Sequence, residues 1–169
     1  KMKNFTQKFI GILAIIFATS FTVNAQAPLF FSEYGEGSGS NKYLEIYNPT
    51  SEFVDLDYYG LAIVTNEPEI PGMPEYLYNF IGPGSYIEPG GVFVIAHPGC
   101  DPLILERANE FYPYLSNGDD GLALVFGQTL DDYFIIDVIG DFYGDPGLGW
   151  DVAGVSNATK DHTLIRKMS

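Results

Sequence analysis

Three observations predict an all-β sandwich. Apolar and polar residues alternate with a period of two in several short runs, the mark of strands with one face in a core. Turns rich in glycine, proline, asparagine and aspartate separate those runs at roughly ten-residue spacing. Only residues 103–114 have a composition that allows a short helix, of about two turns.

Residues 41–49 carry the clearest pattern. Tyr43, Glu45 and Tyr47 share one side of an extended segment, and Leu44 and Ile46 the other. Pro49 stops the strand because it has no amide hydrogen to donate to a ladder. A glycine/serine connector, residues 35–40, joins it to an earlier strand at 29–34. Residues 54–58 alternate Val54, Leu56 and Tyr58 with Asp55 and Asp57, as a strand or bend. Residues 61–65 show no polar alternation and are expected to be covered on both sides.

Residues 66–84 contain four prolines and read as a long surface excursion with a short strand at 76–81. Glu88-Pro89-Gly90-Gly91 is a turn before a central strand at 92–96. After the helical candidate, Asn117-Gly118-Asp119-Asp120-Gly121 turns into a strand at 122–126. A hairpin loop at 127–132 leads to a strand at 134–139. A glycine- and aspartate-rich loop fills 140–150, and 161–167 alternate again.

Residues 1–25 read as a secretory signal peptide, not as fold. Lys1, Lys3 and Lys8 precede an apolar run too short to span a bilayer, and small residues follow at Val23, Ala25 and Ala27. The expected mature domain is 26–169, secreted, periplasmic or at the cell surface, with no membrane contact once the signal is removed. All 22 acidic residues lie beyond the signal, against five cations, for a mature net charge of −17. Such a surface repels nucleic acid and anionic headgroups, so no nucleic-acid binding is expected of this domain alone. It suits solubility and divalent cations. Cys100 is the sole cysteine, which rules out an internal disulfide. It is expected as a half-buried thiol in a loop.

No catalytic residue is predicted. The nucleophile elbow, the dinucleotide fingerprint and the phosphate-loop lysine are all missing, and His97 and His162 lack the spacing of a zinc pair. No cofactor is expected unless calcium binds. Asp119 and Asp120 are the calcium candidates, because calcium takes six to eight oxygens from carboxylates and loop carbonyls. The same residues are also good turn chemistry without a metal. Tyr43 and Tyr47 are the ligand-binding candidates, an aromatic strip for a glycan or protein partner unless a second layer or the proline-rich excursion covers them. Trp150 reads as a packing plug.

Several segments resemble the lamin-tail domain of exported bacterial proteins. Phe31-Ser32-Glu33-Tyr34, the glycine/serine loop, residues 42–49 and Val54-Asp55-Leu56 are similar to its opening. Residues 88–95, 117–121 and 136–140, Asp145-Pro146-Gly147 and residues 163–167 are similar to its later motifs, in order. The resemblance covers about 29–167. It implies an immunoglobulin-like β-sandwich and a non-catalytic interaction or targeting module in a larger secreted or surface protein. One alternative is the N-terminal accessory domain of a secreted hydrolase, such as a nuclease. Another is an autonomous calcium- or carbohydrate-binding domain. Two departures from the family stand out. The proline-rich excursion is long, and the chain ends where the family continues into a tryptophan-containing closing segment, so a fragment is expected.

Overall fold

The computed structural model describes residues 29–80, 84–115 and 117–167. The expected signal peptide lies outside the described residues. The chain runs through β1 (Phe30–Glu36), β2 (Lys42–Tyr47), β3 (Val54–Asp55), β4 (Tyr59–Val64), β5 (Tyr76–Asn79), β6 (Tyr86–Ile87), β7 (Val92–Ala96), α1 (Pro102–Leu105), β8 (Glu110–Phe111), β9 (Gly121–Thr129), β10 (Asp132–Ile139) and β11 (Thr163–Ile165). The fold is an all-β sandwich. One sheet has five strands in the order β11-β1-β2-β7-β8, the other four in the order β10-β9-β4-β5, and β3 and β6 form a small third ladder. Among the described strands only β7–β8 pair in parallel.

Apolar burial closes the two large sheets over each other. Phe31, Leu44, Ile46, Phe93 and Ile95 meet Leu61, Ile63, Leu122 and Leu124 in one buried cluster. The alternation in β2 is thereby explained, since Leu44 and Ile46 are its core side. β4 is apolar throughout because both of its faces are covered. Its outward residues Ala62 and Val64 join Ala123, Val125 and Phe142 in a second buried cluster.

The proline-rich excursion helps to form that outer cover. Pro68 and Pro74 are buried. Gly72 donates its N–H to the Phe142 carbonyl at 2.5 Å and lies so close to the Tyr143 ring that a Cβ there would crowd it. The single helical turn is shorter than the sequence pattern allows. Asp101 caps it through a bond from Leu103 N at 2.9 Å, and Pro102 starts it. It stops because Asn109 bonds Val94 with both backbone and side chain, which draws Glu110–Phe111 onto the edge of β7 as a strand.

Glu75 holds the start of the excursion to the sheet. Its carboxylate accepts from Thr65 N at 3.2 Å, Thr65 Oγ1 at 3.0 Å and Glu69 N at 3.0 Å. Burial works to raise its pKa, but these three donors outweigh burial and hold it below the ordinary carboxylate value. A depressed folded-state pKa gives stability above the ordinary value and loses it as pH falls through the lowered one. Glu75→Gln should therefore cost roughly 1 kcal/mol at neutral pH, a figure discounted for solvent screening. The gap to wild type should shrink as pH falls below the ordinary carboxylate value and vanish once it has passed the lowered one. Urea unfolding across a pH series measures both.

Candidate interaction surface

The outer face of the five-stranded sheet is covered in part: Val94 and Ala96 are buried on it, while Phe30, Tyr43, Glu45 and Tyr47 are half-buried. None of its outward side chains belongs to either buried apolar cluster among the described residues. Its residues follow from register. β2 contributes Tyr43, Glu45 and Tyr47, which pair with Gly35, Glu33 and Phe30 on one side and with Ala96, Val94 and Val92 on the other.

A β-bulge decides what β1 presents. Phe31 pairs with Ile46 and Glu33 with Glu45, so Ser32 is the extra residue. Strict alternation would send Glu33 to the core side with Phe31. The extra residue instead turns Glu33 outward and lets Tyr34 go in beside Leu44. Two glutamates thus face each other across the strands, with Cβ atoms about 4.5–5.5 Å apart for such a pair.

Hydroxyls orient both carboxylates. Ser32 Oγ donates to Glu45 Oε1 at 2.7 Å, and Tyr43 donates its hydroxyl to Glu33 Oε2 at 3.0 Å. Burial pushes the Tyr43 pKa up, and the Glu33 bond and charge add to it, so Tyr43 remains a donor at neutral pH. The Tyr43 ring lies against Gly35, where a Cβ would run into it. At the other end Tyr47 packs on Phe30 with centroids 5.5 Å apart. Arg166 sits 5.3 Å over the Phe30 ring and pairs with Asp137 at 2.8 Å.

Both tyrosines of the expected strip are half-buried on this face, and the excursion covers the opposite sheet. The rim is apolar and exposed: Val92 is 44% exposed, Phe111 49% and Ile165 67%. The Glu33–Glu45 pairing was not visible in the sequence, because only the bulge brings the two into register.

The aspartate pair lies elsewhere. Asp120 is buried; its Oδ1 accepts from Asn66 N at 3.3 Å, and its carbonyl accepts from Trp150 Nε1 at 3.0 Å. Asp119 Oδ1 is buried without a hydrogen-bond partner among the described residues. No group of three or more His, Cys, Asp and Glu side chains among those residues is arranged to hold a metal. Burial, followed by the charges of Glu36, Asp120 and Asp119, raises the pKa of nearby Tyr34. Trp150 fills the space over Gly140 as a plug. Asp141, Asp145 and Asp151 each accept a backbone N–H of their own loop. Cys100 is buried, not half-buried, with its thiol directed at the carbonyls of Ser40 and Lys42 at 3.0 and 3.2 Å. The His97 and His162 rings each make a contact two residues away in their own loops.

No protein-family model matches the chain, and no similar sequence was found among curated proteins.

Like charges directly opposite in a sheet are destabilising. Glu45→Gln keeps an acceptor for Ser32 and removes the repulsion, so it should stabilise the fold by about 0.5 kcal/mol at low salt. The gain should shrink as salt screens the pair. Urea midpoints at two salt concentrations measure it.

Proposed function

We propose that this chain is an exported, non-catalytic interaction module of the lamin-tail type, with an immunoglobulin-like sandwich as its scaffold. The single observation that supports the reading most is the outer face of the five-stranded sheet, whose outward side chains belong to no second apolar cluster among the described residues. It carries Phe30, Tyr43 and Tyr47 with an exposed apolar rim, and half-buried aromatics of this kind suit a protein or glycan partner. A photoreactive residue placed at position 47 or 92 in the exporting cell tests it. Discrete adducts, much stronger than from position 58, are the expected outcome. Adducts no stronger than those from position 58 would refute the reading.

One observation favours a second reading, a calcium-binding domain. The buried, unpartnered Asp119 Oδ1 is the type of oxygen that a hard cation takes. Under that reading calcium raises the unfolding temperature and a chelator reverses it, with the rise abolished in Asp119→Asn. Coincident melting curves in calcium and in chelator would remove it.

A further inference from the structure

We propose that the outer face of the five-stranded sheet receives a lysine or arginine side chain of a protein partner between Glu33 and Glu45. The inference rests on the reading of this face as an interaction surface and adds the chemistry of what binds there.

The argument starts from repulsion. Glu33 and Glu45 are opposite each other by register, which works against the sheet that carries them. Their hydroxyl partners, Tyr43 and Ser32, are neutral and cancel no charge. A carboxylate can accept several bonds, so each retains acceptor capacity for a cationic donor. A cation placed between the two would turn their repulsion into attraction for both.

The surroundings suit the rest of such a side chain. Tyr43 lies on one side of the carboxylate row, and Tyr47 with Phe30 on the other. Aromatic rings attract cations and pack against the methylene stems of lysine and arginine. The protein already uses this combination once, where Arg166 lies over Phe30 and pairs with Asp137. The formal charge of −14 for the whole chain, more negative still without its first 25 residues, steers a basic partner inward and an acidic one away. A second copy of this chain is thereby disfavoured, and a neutral glycan offers no cation.

The test is a titration of the isotope-labelled 26–169 chain, followed by NMR. The probe is the peptide acetyl-Gly-Leu-Arg-Leu-Gly-amide, with its neutral citrulline counterpart and cellopentaose as comparisons. The arginine peptide should shift the Glu33 and Glu45 carboxylates and the Tyr43 and Tyr47 rings, and bind at least about tenfold more tightly than the citrulline peptide, the ratio for losing a charge-assisted bond. Glu33→Gln and Glu45→Gln, each of which keeps an acceptor oxygen, should each weaken it several-fold. Shifts spread over the acidic loops, equal binding of the citrulline peptide, or saturation of the face by cellopentaose would overturn the proposal. If photoadducts from positions 47 and 92 persist undiminished in the doubly substituted E33Q/E45Q chain, the cation is wrong and the interaction surface stands. If the unsubstituted chain gives none, both fall.

Discussion

Strand β2 can occupy only one register, and the sandwich depends on it. At its start, Lys42 is buried and pairs with buried Glu36 at 2.5 Å. Glu36 also accepts the N–H of Asp161, which fixes the approach to β11. At its end, Asn48 is fully buried. Its amide donates to the carbonyls of Glu52, Ile87 and Glu88 at 2.8–3.1 Å, and its Oδ1 accepts from Thr50 N at 2.9 Å. A slip by one residue would strip a buried ion pair of its partner, at a cost of about 3–5 kcal/mol. It would also turn Tyr43, Glu45 and Tyr47 into the core. The two end locks and the Leu44–Ile46 contact therefore act together, and β1 and β7 take their places from β2.

The same lock builds the outer face. With β2 held, Glu45 must point outward, and the Ser32 bulge sets Glu33 against it. The two sheets then differ in an informative way. The four-stranded sheet is covered on its outer side by Phe142 and its neighbours. The five-stranded sheet has no such second cluster among the described residues, although it carries the outward aromatics Phe30, Tyr43 and Tyr47. A fold that covers one sheet twice and the other only in part places the proposed contact surface by architecture more than by any single residue.

What the sequence made legible was whatever depends on local pattern. The alternation of β2, the unbroken apolar run of β4 and the turn chemistry of the aspartate loops all follow from neighbours a few residues apart. What depends on distant pairing was hidden. The region after α1 looked helical by composition, yet Asn109 finds its partner in Val94, fifteen positions earlier. The excursion reads as a surface loop because nothing local announces that Gly72 bonds the Phe142 carbonyl and Leu77 packs on the Phe142 cluster. The carboxylate pair on the outer face was hidden for the same reason, since a bulge of one residue reverses which side Glu33 takes. Tyr43, Glu45 and Tyr47 could be placed on a common face from spacing alone, while the second carboxylate, Glu33, could not.

The distribution of the acids supports the proposed recognition over plain solvation. In the interior, Glu36 meets Lys42, and Asp120 accepts the Asn66 amide. In the loops, Asp141, Asp145 and Asp151 accept N–H groups close to them in sequence. Those arrangements lower the cost of holding the charge where it is. Glu33 and Glu45 also accept from neutral hydroxyls, but there the strands set like charge against like. A merely solubilising charge gains nothing from such placement, because any exposed loop would serve as well. A charge meant to meet a cation gains orientation, since the strands keep both carboxylates in position before the partner arrives and little ordering remains to be done on binding.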